Sequence, residues 1–365
     1  MRKDLESIIR NENKNRVKWG FVIGLICSVV WGAGYVALDL MWRVTPFAEW
    51  AVFPEGPAGF FIATLCIGSA FALSALIILT VFWLGGTGKI ADLPRTVLNF
   101  KLSKWYLICA SFGGPVAIYG SVLAVGYVGA AFAASIALLC SVVATIAAKI
   151  WYGENISQKT WVGLAFILVG GIFIVNPIQM LAEIANPASP DGVWLGYLGG
   201  MMAAVGFGLE AAVAGRILDV TDADSGLLTR ITAEVLLWFV IIVPFFMIIF
   251  GPGAIVTAMY AAFTSIPFIA LVVLGTLTLN LAYVFMYKSY PLIGVGRGVS
   301  ISTLYAAWSI LFLMIFLGIP IGWWILTGAA MAIVGTFVMY WESGDSLLEC
   351  TRDCNVALDE VKGGK

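Results

Sequence analysis

Hydrophobic positions run in long blocks along this chain, and polar positions are confined to the gaps between them. Ten apolar segments stand out, over residues 19–42, 60–84, 104–126, 129–151, 158–177, 193–216, 231–251, 266–288, 292–317 and 321–341. Each is close to the roughly 20 residues that a helix needs to cross about 30 Å of hydrocarbon. The pattern predicts an all-α integral membrane protein with ten transmembrane helices joined by short turns. Three gaps are longer. Residues 43–59 hold Trp50, Phe53 and three prolines, and read as a segment lying in the membrane interface. Residues 85–103 carry Lys89, Arg95 and Lys101, and residues 178–192 hold Pro187 and Pro190. The polar stretch 1–18 reads as a head. In the tail, 342–365, Leu347, Cys354, Leu358 and Val361 share one side of a possible short helix.

The pattern also repeats. Tyr127 returns as Tyr290 at an offset of 163, Gly163 and Gly170 return as Gly328 and Gly335 at an offset of 165, and Trp324 stands where Trp161 stood. The chain therefore divides into five-helix halves, 19–177 and 193–341, joined by the linker 178–192. Five is odd, so the halves enter the membrane from opposite sides. Such an inverted repeat is the geometry of alternating-access carriers.

Composition agrees with this class. The chain has 365 residues, of which 61% are hydrophobic and 11% charged, with a mean hydropathy of +0.99. With the N-terminus inside, 18 of the 20 Lys and Arg residues fall on the inner side, and only Arg43 falls outside. That asymmetry places both ends in the cytoplasm of a cell (inner) membrane. The basic residues are scattered, so no nucleic-acid surface is expected. Cys27, Cys66, Cys109 and Cys140 lie in apolar runs and read as reduced thiols; Cys350 and Cys354 stand in the tail. There is no histidine, and neither a metal nor a cofactor is expected. The polar head and the long first apolar run argue against a cleaved leader.

Local motifs point to a family. Trp31-Gly32-Ala33-Gly34-Tyr35 resembles the signature of the first helix in EamA-type transporters of the drug/metabolite transporter superfamily. The small-residue run 126–136, then Glu154, Trp161, Gly163 and Gly170-Gly171, is similar to the end of the EamA unit. The resemblance covers about residues 19–341. It is weaker in the second half, where Phe207-Gly208 stands for Trp31-Gly32 and Leu317 for Glu154. It departs in the long 43–59 and 85–103 connectors and in the tail. The resemblance implies a carrier of small metabolites with a central cavity between its halves, and it implies no particular substrate.

Ionisable groups inside hydrocarbon are costly and need a reason. Glu210 and Arg297 stand at similar depth from the inner face, so they can pair as glue, inner gate or zwitterion clamp. Asp39 can pair with Arg43 at i+4 or carry a proton, as can Glu210. Arg230 and Glu234 read as a local i,i+4 pair, and Lys149 and Lys288 as snorkelling side chains. Glu154 reads as a cap for the fifth helix. Trp31, Tyr35, Asn280 and Tyr305 lie near mid-depth, with Tyr119 and Trp308 further out. Aromatics with a polar handle suit a cavity that receives a cation on ring faces.

No nucleotide motif is present, so any coupling is to protons or ions. With few intramembrane cations, the substrate expected is a small amine, amino acid or similar zwitterion. A choline-like quaternary ammonium is the alternative, and a membrane scaffold or receptor the different class. Asp219, Asp222 and Asp224 lack a histidine, so no enzyme is expected. The partners expected are the substrate, the bilayer and at most a second copy, as a monomer or homodimer.

Overall fold

The structure, a computed structural model, describes residues 2–152 and 158–340. The 153–157 connector with Glu154, and the tail with Cys350 and Cys354, lie outside the described residues. Those described are helical, without a strand, and nine stretches are long and apolar enough to cross a membrane. The principal helices are α1 (Arg2–Met41), α2 (Pro57–Thr87), α3 (Phe100–Val128), α4 (Ala130–Trp151), α5 (Gln158–Val175), α6 (Trp194–Ile217), α7 (Ala223–Phe250), α8 (Ile266–Ile293), α9 (Val295–Leu317) and α10 (Trp323–Tyr340). The apolar part of α10, Trp323–Val338, is shorter than a full span.

The distribution of side chains is that of a protein in lipid. Phe82, Ile248 and Ile266 are at least three-quarters exposed, while Glu210, Arg230 and Glu234 are fully buried. Hydrocarbon offers no partner for charge, so the charged groups turn inward and the apolar ones face out.

Glycines set how the helices meet. α5 and α10 run antiparallel: a Cβ on Gly170 would lie 2.5 Å from the Gly328 carbonyl, and one on Gly335 would lie 2.6 Å from the Gly163 carbonyl. α6 crosses α3 antiparallel, with Gly199 against Gly120 and Gly196 against Tyr127. α1 crosses α8 in the same sense, with Gly34 against Leu279 and Gly20 against Ile293. Gly208 of α6 packs on Val143 of α4, and Gly32 of α1 on Trp308 of α9. Small residues at such crossings let backbones approach closely, which is how helices associate in lipid.

Irregularities recur with the glycines. Gly129 separates α3 from α4 at φ 101 and ψ 160; Gly294 separates α8 from α9 at φ 82 and ψ 158. A residue with a Cβ is strained at such φ, so glycine stands at both. A π-helical turn interrupts α3 at Phe112–Ile118 and α8 at Thr276–Asn280. α4 tightens at Ala137–Leu139, and α9 breaks at Thr303 and Leu304, 165 residues on from Leu138 and Leu139.

Several connectors depart from expectation. The 43–59 segment packs its aromatic rings against the bundle. Phe47 and Phe53 are buried and stacked at 5.3 Å, and Phe47 meets Phe268 at 4.9 Å. Apolar rings gain more under the bundle than at the headgroups. Residues 252–264 form a helix, Pro252–Thr264, rather than a loop. The linker begins with the helix Pro177–Ala185, and the 85–103 connector contains Asp92–Leu98. The head is part of α1, which starts at Arg2.

Candidate functional site

α6, α7 and α8 meet around a buried ionic cluster. Arg230 Nε lies 2.8 Å from Glu210 Oε1, and Arg230 Nη1 pairs with Glu234 Oε2. Tyr283 donates to Glu210 Oε2 at 3.2 Å and Tyr287 to Oε1 at 3.3 Å. Trp238 Nε1 donates to Glu234 at 3.4 Å. The guanidinium also sits 4.8 Å from the Tyr283 ring centre. From the first half, α3 contributes Gly113 and Gly114, where a Cβ would collide with Arg230 and Glu234. The cluster holds two carboxylates and one guanidinium. It therefore carries one excess negative charge unless a proton or a cation joins it.

Two small chambers border the cluster. One, about 30 Å³, is lined by Tyr35, Phe71, Ile118, Ser121, Asn280 and neighbours. The other, about 20 Å³, is lined by Glu210, Tyr290, Ser302, Thr303 and Tyr305, among others. Trp31 and Phe207 line both, and their rings meet edge-on at 5.7 Å. Trp31 also contacts Tyr283 at 4.7 Å and stacks on Tyr305 at 5.3 Å, and Tyr35 stacks on Tyr305 at 5.7 Å. The Tyr35 and Ser121 hydroxyls are 3.2 Å apart. The Tyr305 hydroxyl adjoins that of Tyr35, whereas the Tyr290 hydroxyl is buried and has no hydrogen-bond partner.

On one side of the cluster, charges close the bundle. Lys89 reaches Asp222 and Asp224, each at 2.7 Å, and Lys288 reaches Asp224 at 3.0 Å. Trp83 Nε1 donates to Asp224 at 2.8 Å, and the Tyr106 and Thr221 hydroxyls are 2.5 Å apart. Partial burial works against the Lys89 ammonium, but the hydrogen bonds to Asp222 and Asp224 outweigh it and raise its pKa. At the opposite end, a cavity of about 310 Å³ is lined by Asp39, Arg43, Gln179, Glu183, Tyr197 and apolar neighbours. There Asp39 and Arg43 pair at 2.7 Å.

The structure brings together Trp31, Tyr35, Glu210, Asn280 and Tyr305 at the two chambers. Glu210 pairs with Arg230 and not with Arg297, which stands half-buried on α9. Depth in the sequence fixes height in the bilayer, but not direction around the helix axis. Trp308 stacks on Phe312 at 6.0 Å and backs onto Gly32, away from both chambers. The Tyr119 hydroxyl donates to the Phe61 carbonyl at 3.3 Å, and its ring faces Trp238 at 6.2 Å. Lys288 pairs with Asp224 and lies 4.8 Å over the Trp83 ring. Lys149 lies 5.0 Å over the Trp161 ring. Cys27, Cys66, Cys109 and Cys140 are free and buried.

Arg230 and Glu234 form the expected i,i+4 pair, yet their place in the central cluster was not expected. Tyr283, Tyr287 and Tyr290 were also missed, although their spacing of four and three residues puts them on one helix face.

No family model matches the chain, and no curated protein matches it. Among solved structures, 21 chains match. One, described only as "Crystal structure of protein", superposes with a TM-score of 0.53 at 17% identity, over 88% of this chain and 96% of the other. At that identity the likeness concerns the fold alone.

Proposed function

We propose that the protein is a secondary active transporter that moves a small amine, amino acid or related polar metabolite by alternating access. The observation that carries this reading is the charge-unbalanced Glu210–Arg230–Glu234 cluster, buried beside aromatic chambers between the two halves. A buried charge without compensation is expensive. A proton and a cationic substrate can each neutralise it, and competition between them is a coupling mechanism. The Lys89–Asp222–Asp224–Lys288 network closes one side in this state, and the Trp31–Phe207 contact divides the space within.

In this reading the chain has ten spans in two inverted five-helix repeats, in the manner of EamA-type transporters. The antiparallel glycine contacts of α5 with α10 support it. So does the exchange of partners: α1 meets α8 and α9 as α6 meets α3 and α4. Trp31 and Phe207, which occupy matching places, meet face to edge where a pseudo-two-fold axis would pass.

Both termini then face the cytoplasm of a cell membrane. The basic count supports that orientation even though Arg230 belongs to the bundle interior. A cysteine at Trp50 should react with an impermeant maleimide applied from outside, and one at Lys89 should not; the reverse pattern would invert the topology. In proteoliposomes, an imposed pH gradient should drive uptake or release of an amine or amino acid above protein-free vesicles. No gradient-dependent flux across a panel of both classes would remove the transporter reading.

A further inference from the structure

We propose that the ligand of the central site is a protonated primary amine that carries no carboxylate, with its ammonium head among Glu210, Tyr290 and Tyr305. The inference rests on the transporter reading and narrows its substrate class. It starts from the lining charges. Glu210 is the one charged residue at the smaller chamber, and no charged residue lines the larger. Arg230 lines neither, because both of its carboxylate partners hold it to one side.

A zwitterion would have to bring its own carboxylate beside Glu210 or into an uncharged chamber, and either placement is unfavourable. A monocation meets no such obstacle. Its ammonium gains Glu210, and its apolar body meets Tyr35, Phe71 and Ile118 in the chamber beyond Trp31.

A partnerless hydroxyl sharpens the choice of head group. Tyr290 and Tyr305 are each 3% exposed and line the chamber that holds Glu210; the Tyr305 hydroxyl has the Tyr35 hydroxyl beside it, but the Tyr290 hydroxyl has no hydrogen-bond partner. Orphaned buried hydroxyls are rare, because each forfeits its hydration. A phenol can donate to a carboxylate or accept from an ammonium; Glu210 in the same chamber decides for the cation. A primary ammonium has three N–H groups for three acceptors: Glu210, Tyr290 and Tyr305. A quaternary ammonium has none and would leave the Tyr290 phenol unpaired.

At about 20 and 30 Å³ the chambers hold little more than water in this state, so the ligand enters as the helices part. The π-helical turns of α3 and α8 flank the larger chamber through Ile118 and Asn280.

The test uses three probes that share one body: tyramine, tyrosine and N,N,N-trimethyltyramine. Binding to the purified full-length protein is measured by titration calorimetry, and uptake is measured in proteoliposomes against protein-free vesicles. Tyramine should bind at least tenfold tighter than either of the others. Tyr290→Phe should weaken tyramine by roughly tenfold, the scale of one hydrogen bond to a charged group, and leave the trimethyl compound unchanged. Tyrosine binding as tightly as tyramine overturns the proposal, and so does the absence of tyramine binding. A Tyr290→Phe variant that weakens all three alike also overturns it, because the hydroxyl would then be serving the fold. Tyramine that binds but is not carried leaves the site standing and removes the transporter reading.

Discussion

Arg230→Met should keep the protein from accumulating in the membrane. The guanidinium is fully buried and is shared by Glu210 and Glu234, both also buried. Its loss leaves two carboxylates facing each other in a low-dielectric interior. Breaking a buried pair by removing one partner costs about 3–5 kcal/mol. Against a total stability on the order of 5–15 kcal/mol, that loss is large. Replacing all three members, as Glu210→Gln, Arg230→Met and Glu234→Gln together, removes the uncompensated charge and should restore much of the yield. The readout is the amount of monodisperse protein extracted from membranes, together with its melting temperature. A single Arg230→Met variant that extracts and melts like the wild type would show that the cluster does not hold the bundle together.

Glu210→Gln should leave folding nearly intact and abolish coupled transport. The amide oxygen can still accept from one of Tyr283 and Tyr287, the amide nitrogen can donate to the other phenol oxygen, and Arg230 keeps Glu234, so the cluster becomes a neutral pair. Removal of the excess negative charge also removes the reason for a proton or an ammonium to bind. Gradient-driven uptake should fall by at least tenfold, and the remaining flux should lose its pH dependence. Substrate exchange at equal pH separates two roles. It survives if Glu210 carries only the proton, and it falls together with uptake if the carboxylate also holds the ammonium head. Unchanged uptake with an unchanged pH profile would make Glu210 a structural residue.

Much of the architecture is legible in the sequence because lipid imposes a simple rule on composition. The ten apolar segments appear as helices near their expected places, although α10 falls short of a full apolar span. The glycines Gly163, Gly170, Gly328 and Gly335 mark the repeat in the sequence, and the structure places them where α5 crosses α10. The site is less legible. Trp31, Tyr35, Asn280 and Tyr305 lie at mid-depth and do converge, since depth is encoded by position along a span. Glu210 was matched to Arg297 on depth alone, and the actual partner comes from α7. Arg230 escaped notice because an i,i+4 acid gives it a sufficient local explanation. The helix Pro252–Thr264 is not legible because 13 residues opening on a proline-glycine pair are too short to cross a membrane.

The exchanged partners of α1 and α6 bear on how the chain is made. Synthesis delivers α1 well before α8 and α9, its main neighbours, and α6 alone meets helices already in place. Until the last third of the chain is inserted, the glycines of α1 that meet α8 and α9 (Gly20, Gly24, Gly32 and Gly34) have only lipid or a chaperone against them. The acid and base of the ionic cluster, by contrast, sit on the consecutive helices α6 and α7. They can neutralise each other as a hairpin while both helices leave the translocation machinery, so neither charge has to enter the bilayer alone. The contacts of α1 with α8 and α9, and of α5 with α10, join stretches on either side of the 178–192 linker. Severed at the 178–192 linker, the chain would give two fragments that complete each other, rather than two that stand apart.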